Sequence, residues 1–134
     1  MRARFVGTAV AVILAAAVVS QGLYEVFLVP RLGGFMTVPP HLWLVVTAPL
    51  IASTLACGWL ASWREVINVA ALTAVGLQAA IHVAAAEGRP GWHKAVEAPL
   101  SHWTFGLASA FLIVLSIIVL GRIGHAALRP RESS

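Results

Sequence analysis

Four long apolar stretches, separated by short segments rich in polar residues, glycine or proline, organise the chain. They cover residues 5–29, 42–63, 66–86 and 100–123. Each is longer than the ~20 residues with which an α-helix crosses a hydrocarbon core of ~30 Å. The second connection is so short that the middle two stretches are expected to form a tight antiparallel hairpin. The pattern predicts an all-α fold, an integral membrane four-helix bundle with short loops, in which residues 1–134 form a single transmembrane domain.

The composition supports lipid as the solvent of this chain. Hydrophobic residues make up 60% of it and charged residues 10%, and its mean hydropathy is +0.89. A globular domain carries about 25% charged residues, because water must solvate its surface. The expected partners are therefore the lipid bilayer and, through helix contacts, other membrane subunits or further copies of the chain. The sequence has no basic patch with interleaved aromatic residues, which excludes a nucleic-acid partner.

The distribution of basic residues predicts how the bundle is oriented. One side of the membrane would hold Arg2, Arg4, Arg64, Arg122, Arg129 and Arg131. The other side would hold Arg31, Arg89 and Lys94. Because Lys and Arg near span ends favour the cytoplasmic side, the count predicts that both termini are inside. Eight of the nine basic residues are Arg and alanine is abundant, which is typical of GC-rich bacteria, so we expect a multi-pass protein of a bacterial inner membrane.

The first apolar stretch has an alternative interpretation as a secretory signal peptide. Arg2 and Arg4 precede an apolar run that contains three consecutive alanines at positions 15–17, and signal peptides show these features in this order. The apolar run continues well beyond the alanines, to residue 29, and this length favours a retained first helix. Cleavage would instead leave three helices with the N-terminus outside.

Two series of residues spaced by seven, most of them polar, occur in the last two stretches. The two series are Asn68, Val75 and His82 in one helix and His102, Ser109 and Ser116 in the other. Since the helices run antiparallel, the series can face each other in a left-handed pair. We therefore expect a polar packing seam formed by Asn68, Gln78, Ser109 and Ser116. These residues could take part in a reaction or in ligand binding. The alternative is that they only hold the two helices together by hydrogen bonds.

Titratable side chains gather at the predicted outer side. The group comprises His41, His82, His93, His102, Glu25, Glu87 and Glu97. A carboxylate at mid-membrane costs ~2.5–3.5 kcal/mol, and less near an interface, so Glu25 near the end of its span is notable. We expect a site at which Glu25, His41, His82 and His102 converge.

The chemistry of this outer group suggests a cofactor. Imidazole and carboxylate ligands suit zinc, copper or iron, and His82 with His102 could ligate a b-type haem axially. The sequence leaves the cofactor open, with haem b and a divalent metal as the candidates. No HExxH motif supports it, and Cys57, as the only cysteine, excludes cysteine-based zinc and redox motifs. Interhelical hydrogen bonds and headgroup contacts are the alternative roles of these histidines.

Three functions follow from these features. The first is an accessory or structural subunit of a larger membrane complex, favoured by short loops and by small residues that recur every fourth position, as at Gly7, Ala11 and Ala15. The second is a redox protein, or one that handles metal or haem at the outer site. The third is a small transporter or channel assembled as an oligomer. No motif specifies a reaction, so an enzyme is the less favoured expectation.

Overall fold

A computed structural model describes residues 2–28, 39–88 and 100–128. The helices in these ranges are α1 (Ala3–Leu23), α2 (Pro40–Leu60), α3 (Trp63–Ala86) and α4 (Leu100–Leu128), and a π-helical turn at Tyr24–Leu28 continues α1. Four helices are long and apolar enough to cross a membrane, and the described ranges contain no strand. The predicted all-α four-helix fold is confirmed.

Local chemistry sets the ends of α2 and α3. Pro40 occupies the first turn of α2. The N–H groups of a first turn have no acceptor within the helix, so the missing N–H of proline costs no hydrogen bond there, and its fixed φ suits a helix. α2 ends at Leu60, and Ser62 then caps the next helix. α3 therefore begins at Trp63, three residues before the predicted third span.

The helices follow a simple order around the bundle. α1 packs against α2 and α3, and α4 packs against the same two helices, so the order is α1, α2, α4, α3. Residues 61–62 turn the chain directly from α2 into α3. We call the end of the bundle at which they lie the hinge end, and the opposite end the loop end. The hinge end corresponds to the predicted inner side of the membrane.

The interior of the bundle is narrow and consists of small or branched residues. Ile13 of α1 and Ile118 of α4 are completely buried, and Val66, Val69 and Ala70 of α3 belong to the same cluster. In lipid, close van der Waals packing rather than apolar burial holds helices together, and such residues permit it. α1 is thus an integral part of the packed interior.

α2 and α4 cross in direct backbone contact at two glycines. A Cβ on Gly58 would overlap the carbonyl oxygen of Ile118, and a Cβ on Gly121 would overlap that of Leu55. Only glycine leaves the space for the two backbones to come so close. This contact therefore fixes the distance between α2 and α4.

Three small residues of α1 that recur every fourth position lie on the outside of the bundle. Gly7, Ala11 and Ala15 are exposed, and no other described part of the chain lies within 4 Å of a Cβ placed on Gly7. These residues do not mediate contacts among the four described helices. They form an outward face of α1, which we call the small face.

Large apolar side chains cover the outside of the molecule. Val18, Leu44, Ile67, Leu112 and Leu128 are each more than half exposed. Water would oppose the exposure of this surface, whereas the hydrocarbon core of a bilayer does not. The chain is therefore a multi-pass membrane protein in contact with lipid.

Candidate functional site

Two of the residues predicted to form the outer site lie on neighbouring elements at the loop end. Glu25 is partly buried in the π-helical turn that follows α1. His41 is exposed in the first turn of α2. The rings of Tyr24 and Trp43 join these two elements, with 6.3 Å between their centroids. The structure thus brings the segments that carry Glu25 and His41 together.

His82 is partly buried in the last turns of α3. Its Nδ1 lies 2.9 Å from the carbonyl oxygen of Gln78. Because a carbonyl oxygen only accepts, Nδ1 donates, and the neutral ring then has Nε2 as its acceptor. Gln78 is itself buried, and its side-chain amide fills the space beside Gly106 of α4. Gln78 is therefore a polar residue of α3 that meets α4.

The fourth predicted ligand, His102, lies in the first turn of α4, but its side chain is outside the described part of the structure, as is the whole of His93. The convergence of Glu25, His41, His82 and His102 therefore stays a prediction. Within the described ranges, no three side chains of His, Cys, Asp or Glu form a group that could hold a metal ion. Binding of haem b or a divalent metal at the loop end likewise stays a prediction.

The residues of the predicted polar seam have different environments. Gln78 is buried and Ser109 is partly buried, whereas Asn68 and Ser116 are exposed. Ser116 and Asn68 each donate to the carbonyl oxygen four residues earlier in their own helix, at 2.7 and 3.0 Å. Serine and asparagine often satisfy their polar groups locally in this way. The structure does not bury these two residues between α3 and α4.

The hinge end holds a buried carboxylate that sequence reasoning missed. Glu65, in the first turn of α3, is 1% exposed. Its oxygens accept a hydrogen bond from the backbone N–H of Ser62 at 2.8 Å. They accept three more from Arg2: from its backbone N–H at 3.0 Å, from Nε at 3.1 Å and from Nη2 at 2.9 Å. The Ser62 hydroxyl accepts from the Glu65 N–H at 3.4 Å, which completes a capping box. Glu65 is thus both paired and hydrogen-bonded, as a buried carboxylate must be.

Arg2 connects the start of α1 to the hinge between α2 and α3. Besides bonding Glu65, its Nη2 donates to the carbonyl oxygen of Leu60 at 2.9 Å, and its guanidinium lies 4.5 Å from the ring centroid of Phe5. The hydrogen bond to Glu65 raises the pKa of Arg2 above its already high ordinary value. The side chain stays 62% exposed, so it lies at the boundary between protein and solvent. One arginine thus holds α1, α2 and α3 together.

α4 reaches the same hinge through two aromatic contacts. The guanidinium of Arg122 lies 5.5 Å from the ring centroid of Trp63. The His125 ring stacks on Trp59, with centroids 4.9 Å apart and planes 22° apart. Contacts of these two kinds contribute about 0.5–1.5 kcal/mol each. The hinge end therefore gathers polar and aromatic side chains from all four helices.

Part of this hinge cluster has a signal in the sequence. Ser62 followed three residues later by Glu65, just before an apolar run, is the capping-box pattern. The pairing of Glu65 with Arg2 has no such signal, because 63 positions separate the two residues. Only the packing of α1 beside α3 makes them neighbours.

No protein-family model matches this chain, and neither a curated protein nor a solved structure matches it. Four apolar helices of spanning length make it a small multi-pass membrane protein.

Proposed function

We propose that this chain is an accessory or structural subunit of a larger membrane assembly. The observation that carries the proposal is the small face of α1. Gly7, Ala11 and Ala15 lie exposed, about one turn apart, on the outside of the described bundle. Small residues at every fourth position let the backbone of a neighbouring membrane helix approach closely. A helix of another subunit is the occupant that fits this face.

An apolar groove beside the small face supports the same role. The groove runs between α1 and α2 and measures about 450 Å³. Its lining includes Phe5, Thr8, Val12, Ala56 and Leu60. Thr8 and Val12 directly follow Gly7 and Ala11 in the sequence, so the groove and the small face adjoin on α1. The lining carries no carboxylate, imidazole or basic group, which suits a packing surface better than a catalytic one.

The size of the assembly tests this proposal. The tagged full chain is extracted from its own membranes in mild detergent, its mass is measured by light scattering after size exclusion, and its neighbours are identified by cross-linking. We expect a species that contains other subunits. Replacing the small residues in the Gly7→Leu, Ala11→Leu double variant should release the chain, because bulky side chains keep a neighbouring backbone away.

Ala71→Leu supplies the control, since Ala71 is also an exposed small residue, but on α3. This variant should leave the assembly intact. A single copy of the unmodified chain in detergent, or an assembly that the double variant leaves unchanged, would contradict the proposal. An assembly built from this chain alone would also contradict it and favour self-association.

A redox, metal or haem-handling role at the loop end is the second candidate. The bond between His82 Nδ1 and the Gln78 carbonyl oxygen favours it. Histidines that bind metals through Nε2 commonly hold their other ring nitrogen in this way, because the bond fixes the tautomer and the ring orientation.

Visible spectra of the oxidised and dithionite-reduced protein, together with metal analysis, test this second candidate. A Soret band or stoichiometric metal should disappear in His82→Ala and persist in His125→Ala, which removes a histidine from the hinge end. A colourless, metal-free protein would eliminate the candidate. No feature of the described residues specifically favours the third hypothesis, an oligomeric transporter or channel.

A further inference from the structure

α1 and α2 keep one antiparallel register from the middle of the bundle to the loop end. In the hinge half, the Sγ of Cys57 lies 3.9 Å from the carbonyl oxygen of Ala9. At the loop end, the ring centroids of Tyr24 and Trp43 are 6.3 Å apart. Both helices advance by nearly the same number of residues between these two contacts. Residues 40–48 of α2 therefore lie beside the last turns of α1 and the π-helical turn.

Ser20 of α1 carries a buried hydroxyl in this region. By the same register it lies level with Val46 of α2, which is also buried. Ser20 is 8% exposed, and its Oγ has no hydrogen-bond partner among the described residues. The hydroxyls of Thr47, Ser53 and Ser116 donate instead to a carbonyl oxygen one turn earlier in their own helix. Because a hydroxyl in an apolar interior is destabilising unless it is bonded, Ser20 favours any state in which water reaches it.

α2 has an interruption one turn nearer the hinge end than Val46, at Pro49. Proline has no N–H, so the helical bond to the carbonyl oxygen four residues earlier is missing. The Ser53 hydroxyl donates to the carbonyl oxygen of Pro49 at 2.7 Å, and the Thr54 hydroxyl donates four residues back in the same way. Proline and such hydroxyl bonds are the features that bend helices. Pro49 is therefore the point at which α2 can bend.

The two parts of α2 on either side of Pro49 are held differently. Towards the hinge end, Gly58 places the α2 backbone directly against α4. Towards the loop end, residues 40–48 contain no glycine that would permit such a contact, and Trp43 packs against the π-helical turn Tyr24–Leu28. Turns of this kind interrupt regular helices and are frequent at functional sites. The first turns of α2 thus rest on an irregular segment, whereas the rest of the helix is fixed.

We propose that residues 40–48 of α2 form a lid over Ser20. The lid tilts at Pro49, so that Val46 moves away from α1 and water from the loop end reaches the Ser20 hydroxyl. Packing of Val46 favours the closed state, and a partner for the hydroxyl favours the open one, so the two states lie close in free energy. Opening makes the interior at the loop end accessible to small polar molecules. The lid does not involve the small face of α1, so it does not depend on the accessory role.

Thiol labelling at position 20 tests the lid. The full chain with Ser20→Cys is placed in phosphatidylcholine vesicles and treated with methanethiosulfonate ethylammonium, a small water-soluble thiol reagent, and mass spectrometry follows the labelled fraction. Cys57 is buried, so the unmodified chain supplies the background. We expect Ser20→Cys to react well above this background, because the reactive thiolate forms only where water reaches it.

Pro49→Ala in the Ser20→Cys chain tests the point of bending. Alanine restores the missing N–H and is the best helix former, so α2 should remain folded and straighten. The labelling rate should fall by about tenfold, which corresponds to ~1.4 kcal/mol in the opening equilibrium. Pro40→Ala is the matched control, because Pro40 lies in the first turn of α2, where proline bends nothing. It should leave the rate unchanged.

Thr73→Cys is the matched control for the position of the thiol. The Thr73 hydroxyl is likewise buried without a partner among the described residues. Thr73 precedes Gly76 by about one turn of α3, and a Cβ on Gly76 would meet Leu14 in the middle of α1. Thr73 therefore lies nearer the hinge end than the lid, and Thr73→Cys should react no faster than the background. Circular dichroism melting verifies that each variant is folded.

Three results would overturn the proposal. Labelling of Ser20→Cys at the background rate would show that the lid stays closed. An unchanged rate in Pro49→Ala, or an equal decrease in Pro40→Ala, would remove Pro49 as the point of bending. Equal labelling of Ser20→Cys and Thr73→Cys would replace the lid with a loosening of the whole bundle.

Discussion

A carboxylate in the first turn of a membrane-spanning helix is costly unless donors surround it, and Glu65 has four. Two of them are backbone N–H groups, at Arg2 and Ser62. The Ser62 N–H belongs to the capping box that starts α3. The remaining two come from the Arg2 guanidinium. At the scale of residues, Glu65 therefore both starts α3 and holds α1 against it.

Glu65→Gln should destabilise the protein by about 1–3 kcal/mol, the usual cost of leaving buried donors without a good acceptor. The amide of glutamine accepts through one oxygen only and places its NH₂ group against the donors of Arg2. The free energy of unfolding in a detergent–denaturant titration, followed by circular dichroism, measures the change. An unchanged midpoint would show that the pair contributes nothing to stability.

Arg2→Gln and Arg4→Gln make a matched comparison for the same contact. Both remove one positive charge near the start of α1, but among the described residues only Arg2 bonds Glu65. We expect Arg2→Gln to lower the unfolding midpoint and Arg4→Gln to leave it nearly unchanged. Equal effects of the two substitutions would assign the loss to general charge rather than to the pair.

At the scale of elements, backbone contact joins α2 to α4, whereas side chains and the Arg2 pair join α1 to its neighbours. Gly58 and Gly121 let the α2 and α4 backbones touch, while Ile13 fills the interior from α1. The two kinds of contact respond differently to substitution. Adding a methyl group at a backbone contact moves a whole helix, whereas adding one on an open face moves nothing.

Gly58→Ala should therefore destabilise the bundle by about 1–3 kcal/mol, because its new Cβ overlaps the backbone of Ile118. Gly7→Ala is the control, since Gly7 faces open space in the described structure. Alanine there should be neutral or stabilise the helix by up to about 1 kcal/mol, the difference in helix propensity. Denaturant titrations of both variants check the prediction, and a smaller loss at Gly58 than at Gly7 would contradict it.

α1 should remain attached in the mature protein, because Val6, Ala9 and Ile13 belong to the packed interior. The intact mass of protein purified from membranes should therefore include residues 3–23. Ala15→Leu alters the small residues that a signal peptidase would need. If α1 is retained, the intact mass of this variant should differ from that of the unmodified protein only by the mass of the substitution. A chain that begins just after position 17 would contradict this prediction.

At the scale of the whole molecule, the described arginines and the hinge lie at one end of the bundle. Arg2, Arg64 and Arg122 contact or belong to the hinge turn, and Glu25 and Glu87 lie at the loop end. Over the whole sequence, six basic residues against three predict the orientation in which the hinge end faces the cytoplasm. It stays a prediction until the two ends are labelled.

Cysteine labelling in intact cells tests the orientation. The only native cysteine, Cys57, is buried, so the unmodified chain should react poorly and serves as the background. Glu87→Cys at the loop end should react with a membrane-impermeant maleimide from outside. Arg4→Cys should react only after the cells are permeabilised. The reverse pattern would place the hinge end outside.

The sequence by itself determined the number of helices and their antiparallel succession. Runs of apolar residues longer than ~20 have few alternatives to spanning helices, because lipid offers the backbone no hydrogen-bond partners. It also contained the capping box, since Ser62 and Glu65 are close along the chain. That Glu25, His41, His82 and His102 converge on one site is still a prediction of the sequence.

The tertiary structure alone decided which faces of the helices turn inward. Each helix is apolar nearly all round, so no amphipathic pattern distinguishes interior from lipid-facing positions. Exposed Gly7 and buried Gly58 look alike in the sequence. For the same reason, Arg2 and Glu65 could be recognised as partners only after α1 was placed beside α3, because their interaction depends on distance in space and not on separation along the chain.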